Sequence, residues 1–375
     1  MAVQILLSLA ILIISAKIFG EIAERLKMAS LAGEIFGGIV AGPVMHLVAP
    51  AATLQEIAGL GILFVFFLIG LNLKSEKSEL YSSSILAVLS SLASFAAGFM
   101  LAFYSSGDIF LSSVVGAALL STSPSATMNA IAVLGEYKTR AYKFIISAEL
   151  AESFLAIIVI SGLSLLFSGK ADTFTILLLV SAFVAFLAAA VTVGPIVTKK
   201  LLSLFRFAKD EQIYISIPLI ILFIAAFISE RTGLLGLAGA FLIGIMMRNF
   251  QITESTIVPK IKTIGHGFFI PLFFAYSALS MDIGSVSVWL IVIMIVAAVA
   301  GKVAVYGLLG NFFNLKNREK KIIILAMLPK GEFTIIIAQI ALAAAIISTG
   351  VYSTLIIFTI VSVALSPFLL RFFGK

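Results

Sequence analysis

The stretch GAALLSTSPSATMN, residues 116–129, begins as an apolar run and then changes character around a proline. Pro124 has no backbone N–H, and its ring clashes with the carbonyl one turn earlier, so it interrupts an α-helix. Hydroxyl and amide side chains surround this proline: Ser121, Thr122, Ser123, Ser125, Thr127 and Asn129. In a membrane, irregular backbone requires cover from protein or a wet cavity. A proline kink patched by serine and threonine side chains explains the stretch equally well, so both interpretations stay open here.

A second interrupted stretch, MLPKGEFTIIIA at residues 327–338, lies in the other half of the chain. Pro329 and Gly331 disfavour a helix, and Lys330 and Glu332 place two charges beside the break. The apolar run begins at Ile322, so at about 1.5 Å per residue Lys330 lies roughly 12 Å inside it. A lysine that reaches back to the membrane surface is the alternative. Two interrupted spans, one in each half, indicate a secondary transporter built from inverted repeats.

The composition of the chain is that of a membrane protein. Of 375 residues, 61% are hydrophobic and 11% are charged, whereas soluble domains are near half apolar and about a quarter charged. The apolar blocks have the length of about 18–25 residues that a helix needs to cross the hydrocarbon core. We count thirteen candidate spans, which begin near residues 2, 31, 56, 82, 110, 139, 172, 211, 233, 263, 284, 321 and 351. The sequence therefore predicts an all-α polytopic membrane protein with 13 transmembrane helices.

The basic residues between these spans predict the orientation of the chain. The segments that follow odd-numbered spans carry 20 Lys and Arg residues, whereas those that follow even-numbered spans carry only Lys170 and Arg231. Because Lys and Arg concentrate in cytoplasmic loops, we expect a cell-membrane protein with its N-terminus outside and its C-terminus in the cytoplasm. The net charge of +7 then reflects orientation, and no nucleic-acid partner is expected.

Three ionisable residues lie well inside apolar spans. Glu149 and Glu152 are three residues apart and share one face of the sixth span, and Lys302 lies in the eleventh. A buried carboxylate costs at least about 2.5 kcal/mol even on the mildest insertion scales, which favours a functional role over a purely structural ion pair. A buried ammonium requires a carboxylate partner, and the candidates are Glu149, Glu152 and Glu332. Glu34 lies nearer a membrane surface and is interpreted as a helix-start or gating residue.

These side chains suit a small monovalent cation. Carboxylates, hydroxyls and carbonyls freed by a broken helix are hard oxygen ligands, and their charge is too small for a divalent ion. A carboxylate that binds either a cation or a proton is by itself an exchanger, because the two compete for the same oxygens. The candidate ion- or proton-binding residues are Glu149, Glu152, Thr122, Ser123 and Ser125. The candidate charge-modulating residues are Lys302, Lys330 and Glu332.

Other classes of site fit the sequence less well. The chain has no Cys and two His, which excludes a thiolate metal site and disfavours a histidine-rich one, and we expect no cofactor. An intramembrane hydrolase could use Glu149 and Glu152 as an acid–base pair. Two carboxylates on one helix cannot easily flank a substrate bond, and we find no catalytic Ser–His pairing, so we do not expect an enzyme.

Four motifs resemble those of the monovalent cation–proton antiporters, in particular the branch with sodium–proton exchangers and the membrane part of Kef-type potassium efflux systems. These motifs are LAGEIFGGIVAGP at 31–43, FLIGL at 67–71, FFAYSALSMD at 273–282 and KGEF at 330–333. They occur in the family's order, together with the broken fifth span. The resemblance implies the sodium–proton antiporter fold, with inverted repeats whose interrupted helices, spans 5 and 12, cross at mid-membrane.

The resemblance also implies an internal organisation. The chain would form one membrane transporter domain, residues 1–375. Scaffold and dimerisation helices would occupy about 1–78 and 210–282, a mobile core about 79–168 and 283–375, and a linker helix about 170–200. A homodimer and an elevator-like movement of the core are expected from the same resemblance.

Carried over by position, the resemblance assigns roles to individual residues. Glu152 falls on the family's ion-binding aspartate, and Lys302 falls on the basic residue that pairs with the acidic site in electrogenic members. Thr122 and Ser123 fall in the unwound stretch, with Pro124, Pro329 and Gly331 at the helix breaks. Glu152 is therefore the predicted ligand of the transported metal ion.

One departure from the family pattern concerns the partner of the lysine. The usual Asp-Asp, Asn-Asp or Gln-Asp pair reads Ala151-Glu152 here, so the first acid is missing. Glu149, one turn earlier, is its candidate replacement as the partner of Lys302. With one carrying carboxylate the exchange can be electroneutral.

The sequence thus predicts a secondary active transporter that exchanges a monovalent cation for protons by alternating access. Na⁺ is the first candidate, with K⁺ and Li⁺ open. The alternative is a Kef-type gated K⁺ efflux or K⁺/H⁺ antiport membrane subunit. A sodium-coupled symporter of organic anions would need more Asn and Gln in the core, and a non-transporting sensor stays open.

Overall fold

A computed structural model describes residues 2–72, 79–135, 139–169, 172–192, 194, 196, 200, 213–231, 234–248 and 258–373. Some predictions lie outside these residues. They are the starts of the eighth and ninth spans near residues 211 and 233, the boundaries near residues 78, 170 and 210, and the basic loop residues Lys74, Lys77, Lys138, Lys170, Lys199, Arg206, Lys209 and Lys375.

Within the described ranges the chain folds into helices. They are α1 (Ala2–Arg25), α2 (Ser30–Ile39), α3 (Ala52–Asn72), α4 (Leu80–Ser106), α5 (Ile109–Leu120), α6 (Pro124–Leu134), α7 (Arg140–Phe167), α8 (Thr173–Thr192), α9 (Ile213–Arg231), α10 (Gly236–Met247), α11 (Val258–Ile264), α12 (Ile270–Ser277), α13 (Val288–Leu309), α14 (Asn317–Ala326), α15 (Glu332–Ala343) and α16 (Thr349–Phe373). Short π-helical segments continue α2 at Val40–Val44 and join α11 to α12 at Gly265–Phe269.

Many of these helices have the length and apolarity of membrane spans. Among the described residues, 7 helical segments are long and apolar enough to cross a membrane, and four shorter apolar helices accompany them. The seven are Val3–Arg25, Ala52–Asn72, Leu80–Ser106, Ile109–Ala132, Arg140–Phe167, Val288–Phe313 and Thr349–Phe373. The all-α polytopic class is confirmed, whereas the predicted number of thirteen stays a prediction.

Both interrupted spans are broken where the sequence predicts. Helix α5 ends at Leu120 and α6 begins at Pro124, with Ser121 and Ser123 in extended conformation. The proline occupies the first turn of the second half-helix, where a missing N–H removes no helical bond. Helix α14 ends at Ala326 and α15 begins at Glu332. The interpretation of residues 116–129 as a kink in one continuous helix is therefore wrong.

By internal contacts the chain divides into two compact units. The first comprises Met1–Leu54, Ser75–Ala156 and Phe274–Lys375, and the second comprises Gln55–Lys74 and Ile157–Phe273. Both helix breaks belong to the first unit. The predicted division into scaffold and core concerns movement, which a grouping by static contacts does not test, so it stays a prediction.

Glycines bring helices of the first unit into backbone contact. A Cβ on Gly33 would lie 2.1 Å from the carbonyl oxygen of Phe19 on α1, and a Cβ on Gly38 would lie 2.0 Å from that of Ala275 on α12. Small residues at such crossings let helix backbones approach closely within a membrane. The glycine-rich motif at residues 31–43 therefore packs α2 against two neighbours.

An apolar cluster in the first unit places α7 beside α13. Phe144 on α7 and Tyr306 on α13 are both buried, and their rings meet edge to face with centroids 6.2 Å apart. Further members of the cluster come from α4, α6, α14 and α16: Leu86, Ala87, Ala130, Ile131, Ile322, Ile323, Ala326 and Leu370. Because the cluster holds these two helices together, Glu152 on α7 and Lys302 on α13 come within reach of one another.

The second unit is also built on close helix crossings. A Cβ on Gly244 of α10 would lie 2.3 Å from the carbonyl oxygen of Phe67 on α3, and Gly70 makes the reciprocal approach to Phe241. The rings of Phe64 and Phe269 stack with centroids 4.6 Å apart. The motif at residues 67–71 thus supplies a helix-packing face.

Candidate functional site at the helix breaks

The two helix breaks touch each other inside the first unit. The backbone N–H of Ser123 in the first break donates to the carbonyl of Pro329 in the second, at 2.8 Å. Gly331 lies so close that a Cβ there would be 2.4 Å from Ser123 Oγ. Backbone groups that an uninterrupted helix would use internally are therefore shared between the two breaks, as buried backbone polar groups require.

Lys302 and Glu152 form a buried ion pair beside the first break. Both side chains are fully buried, and Lys302 Nζ donates a hydrogen bond to Glu152 Oε1. The ammonium also lies 3.4 Å from Ser90 Oγ on α4. The sequence suggested Glu149 as the partner of Lys302, and this expectation is wrong in the structure, which pairs Lys302 with Glu152.

Groups of the first break explain why Glu152 takes this position. The backbone N–H of Thr122 donates to Glu152 Oε2 at 2.9 Å, and the Thr122 hydroxyl donates to the same oxygen at 2.6 Å. These contacts turn the other oxygen of the carboxylate toward Lys302. With three donors on its two oxygens, one of them the Lys302 ammonium, the charge of Glu152 is compensated.

The second charged residue of the site, Glu332, spans the two breaks. Glu332 is the first residue of α15, and its Oε2 accepts a hydrogen bond from Ser123 Oγ at 2.6 Å. Ser125 Oγ donates to its other carboxyl oxygen. Ser123 is also the N-cap of α6, so the carboxylate lies near the N-terminal ends of two half-helices. A negative charge there is favourable because helix N-termini carry partial positive charge.

Lys330 has the complementary position at the end of α5. Its ammonium donates to the carbonyl of Leu119 at 2.8 Å, in the last turn of that half-helix. The Thr334 hydroxyl donates to the neighbouring carbonyl of Ala118 at 2.8 Å. A positive charge is favourable at a helix C-terminus. Lys330 is fully buried, so the alternative in which it reaches the membrane surface is wrong.

Glu149 differs from every other carboxylate of the site. Its side chain is 1% exposed, and neither carboxyl oxygen accepts a hydrogen bond from a group in the described part of the chain. The nearby Thr127 hydroxyl donates instead to the carbonyl of Ala326, at 3.1 Å. Ser153 Oγ, one turn further along α7, is likewise buried without a hydrogen-bond partner among the described residues.

A serine face on α4 completes the site and was missed in the sequence. Ser90 approaches Lys302, and Ser94 packs against Gly301, where a Cβ would lie 2.4 Å from Ser94 Oγ. The recurrence of Ser90, Ser91 and Ser94 was the available signal, since Ser94 lies one turn after both of the others and neighbours each of them on the helix surface. Tyr306 was missed as well; its ring centre lies 6.0 Å from Lys302 Nζ.

The donor atoms at the helix breaks are hydroxyl, carboxylate and carbonyl oxygens. No group of three or more His, Cys, Asp or Glu that could hold a metal ion occurs among the described residues. Hydroxyl and carboxylate oxygens are nevertheless abundant at the breaks. Oxygen ligands of low total charge are those that alkali cations accept.

Comparison with known proteins places the chain in a family. The family described as "Sodium/hydrogen exchanger, transmembrane" matches residues 9–374. The chain belongs to this family. Among curated members it is 24% identical over 385 residues to the Na⁺/H⁺-K⁺ antiporter GerN of Bacillus cereus, covering 99% of this chain and 97% of that protein. It is 27% identical over 362 residues to the probable Na⁺/H⁺ antiporter GerT of the same organism, covering 93% and 94%.

A solved structure supports the fold of this family member. The sodium proton antiporter MjNhaP1 of Methanocaldococcus jannaschii superposes with a TM-score of 0.69, covering 98% of this chain and 96% of that one, at 14% identity. At this level of identity the comparison bears on fold alone. The predicted sodium–proton antiporter fold is confirmed.

Proposed function

We propose that this protein exchanges a monovalent cation, Na⁺ first among the candidates, for protons across a membrane by alternating access. One observation carries the proposal: two buried carboxylates one turn apart, Glu149 and Glu152, lie at the crossing of two interrupted helices, and Lys302 neutralises one of them. Membership of the sodium/hydrogen exchanger family and relatives named as Na⁺/H⁺ antiporters support it.

The chemistry of exchange follows from competition for carboxylate oxygens. A carboxylate in this cluster can hold a proton or a cation, but not both on the same oxygens. A buried carboxylate with neither is a bare charge in a medium of low dielectric constant and is strongly disfavoured during any movement. The proton-bound and cation-bound forms of the site can therefore move between the two sides of the membrane, whereas the form with neither ligand cannot. This requirement couples cation flux to proton flux.

The charged residues at the two helix breaks lower the cost of burying the ends of the half-helices within the membrane. Lys330 at the end of α5 and Glu332 at the start of α15 offset the partial charges of the half-helices. The ion pair of Lys302 with Glu152 adds no net charge. In this proposal these residues modulate the cation affinity of the site, and Thr122, Ser123 and Ser125 orient the carboxylates.

The arrangement of the protein in the membrane is part of the proposal. The loop asymmetry of 20 basic residues against two supports an outside N-terminus and a cytoplasmic C-terminus. The family resemblance supports a homodimer in which a core of about 79–168 and 283–375 moves against a scaffold of about 1–78 and 210–282. Both interrupted spans lie in the proposed core. We propose no enzymatic activity and no cofactor, since the cations and protons are substrates.

A Kef-type K⁺ efflux subunit is not favoured. The relatives reported above are named as Na⁺/H⁺ or Na⁺/H⁺-K⁺ antiporters. K⁺ remains among the cations to be tested, because one of those names includes it.

The test is exchange in reconstituted vesicles. We would trap a pH-sensitive dye inside, impose a proton gradient, and add Na⁺, Li⁺ or K⁺ in turn. We expect at least one cation to collapse the gradient in the wild type, and the triple variant E149Q/E152Q/K302Q, which leaves no member of the ion pair charged, to lose this activity. E56Q is the control, since Glu56 is an exposed carboxylate on α3, outside both helix breaks. Absence of any cation-dependent proton flux in the wild type would refute the exchange function.

A further inference from the structure

We propose that Glu149, and not Glu152, is the carboxylate that alternately holds the cation and the proton, with the Ser153 hydroxyl as a second cation ligand. The inference rests on the proposed exchange function and sharpens it. It departs from the position carried over from the family, which pointed to Glu152.

The first argument is that Glu152 is already occupied. Its Oε1 accepts from Lys302 Nζ, and its Oε2 accepts from the N–H and the hydroxyl of Thr122. A cation at Glu152 would have to displace a contacting ammonium of the same charge. It would also have to compete with two donors at 2.9 and 2.6 Å on the other oxygen. Breaking a buried ion pair leaves an uncompensated charge, which is strongly unfavourable.

The second argument is that Glu149 has unused ligand capacity. It is buried to 1% exposure, and by geometry neither of its oxygens accepts a hydrogen bond from the described residues. The Thr127 hydroxyl is close enough to interact with the carboxylate, but it is directed to the carbonyl of Ala326. Buried polar atoms are rarely left so, because the loss of hydrogen bonds to water is not repaid. Protonation removes the charge but creates an O–H donor that itself needs an acceptor. A carboxylate in this state is suited to a small ligand that approaches its oxygens directly.

The third argument concerns Ser153. It follows Glu149 by four residues on α7, so the two side chains lie on the same helix face. Ser153 is fully buried, and its Oγ has no hydrogen-bond partner among the described residues. Glu149 and Ser153, one turn apart on the same face, therefore present three oxygens that make no hydrogen bond to the described residues: two carboxylate oxygens and one hydroxyl oxygen. Carboxylate and hydroxyl oxygens are hard ligands that suit Na⁺ or Li⁺.

The fourth argument is the balance of formal charge. The ionisable groups in electrostatic range of Glu149 are Glu152, Lys302, Glu332, Lys330 and Tyr306. With Lys302 and Lys330 as cations, Glu152 and Glu332 as anions and the phenol neutral, these five sum to zero. Glu149 then sets the charge of the region, which is negative when bare and zero with either a proton or a monovalent cation.

One consequence is the stoichiometry. If Glu149 alone carries both substrates, one cation leaves for each proton that enters. The charge of the region is then zero when the cation moves out and also zero when the proton moves in. Exchange is then electroneutral, and its rate does not depend on membrane potential. A carrier that used Glu152 with loss of one proton from Lys302 would also be electroneutral, so net charge would move only if Glu149 released a second proton for each cation.

The experiment measures proton release when NaCl, LiCl or KCl is added to purified protein in weakly buffered detergent solution. We expect release from the wild type, from E56Q and, at shifted affinity, from E152Q/K302Q, in which both members of the ion pair are neutral. We expect none from E149Q. The double variant is used because E152Q alone leaves Lys302 buried without its partner. Size-exclusion profiles and melting curves identify variants that have not folded.

A second pair of variants tests the hydroxyl ligand. S153A should raise the KM for the cation in vesicles by about tenfold with little change in kcat, since one ligand is lost. S153T keeps the hydroxyl and should restore the KM. Equal KM values for S153A and wild type would remove Ser153 from the ligand set.

The outcomes separate this inference from the function on which it rests. If the wild type neither exchanges nor releases protons with any cation, the exchange function itself fails. If the wild type exchanges, and folded E149Q still releases protons while E152Q/K302Q does not, Glu152 is the carrier and our assignment is overturned. An exchange rate in wild-type vesicles that changes severalfold with an imposed potential would also overturn it.

Discussion

The two helix breaks contact each other but are made of different types of residue. The first, between α5 and α6, is made of neutral hydroxyl residues: Ser121, Thr122 and Ser123. The second, between α14 and α15, is flanked by two charges, Lys330 and Glu332. Each break supplies what the other lacks, because Lys330 bonds the end of α5 and Glu332 accepts from Ser123 at the start of α6.

This difference indicates a division of labour. The charged break offsets the partial charges at the ends of the half-helices. The neutral break supplies hydrogen-bond donors that orient carboxylates from other helices. We therefore expect changes at the charged break to act on cation affinity as well, but more strongly on stability. Changes at the neutral break should act less on stability and more on transport.

The largest effect is expected at Lys330. K330M removes a buried ammonium and leaves the carbonyl of Leu119 without this donor. Hydrogen bonds to charged groups are worth about 1.5–3 kcal/mol, so we expect a loss of that size and a clear fall in Tm in detergent. K316M, at an exposed lysine on the same side of the break, is the control and should change Tm little. A Tm for K330M equal to that of K316M would mean that the charged break does not stabilise the first one.

The next effect tests the contact between the breaks. G331A places a Cβ 2.4 Å from Ser123 Oγ and must push the two breaks apart. Overpacking of this kind costs about 1–3 kcal/mol, measurable as a lower Tm. G307A is matched, because a Cβ at Gly307 on α13 meets nothing within 4 Å. Similar melting curves for the two variants would contradict the close approach of the breaks.

Much of this architecture could be predicted from the sequence because the deciding signals are local. Proline, glycine and charge within apolar runs locate both breaks to within a few residues, and the buried position of Glu149, Glu152 and Lys302 follows from their place in those runs. Local signals also give the helix class. They do not give the number of spans, because helices such as α2 and α15 are too short to count by length alone.

The pairing within the site could not be predicted, because it depends on contacts between distant segments. Three acids were available to Lys302, and only the position of Thr122, 30 residues before Glu152, turns that carboxylate toward the lysine. The bond from Lys330 to Leu119 joins residues 211 apart in the chain. Helix spacing places Glu149 and Glu152 on one face but does not say which of them lacks donors.

A smaller effect is expected at Thr122, in the neutral break. T122V removes the hydroxyl donor to Glu152 but keeps the backbone N–H, so the ion pair with Lys302 remains. We expect a loss of about 1 kcal/mol in unfolding free energy, with T122S close to wild type. In vesicles we also compare the KM for the cation of T122V with that of the K330M protein that has folded. The shift from the wild-type KM should be larger for T122V. The reverse order would contradict the division of labour between the breaks.

The smallest effect compares the two hydroxyls that bind Glu332. Ser123 is buried and also caps α6, whereas Ser125 is exposed in the first turn of the same helix. S123A should cost about 1 kcal/mol, since a cap and a buried hydrogen bond are both lost. S125A should cost about 0.5 kcal/mol or less, because water can replace an exposed hydroxyl. Melting curves of both variants decide the order. Because the same carboxylate accepts both bonds, a larger loss for S125A would mean that Glu332 stabilises the start of α6 through Ser125 and not through the cap residue Ser123.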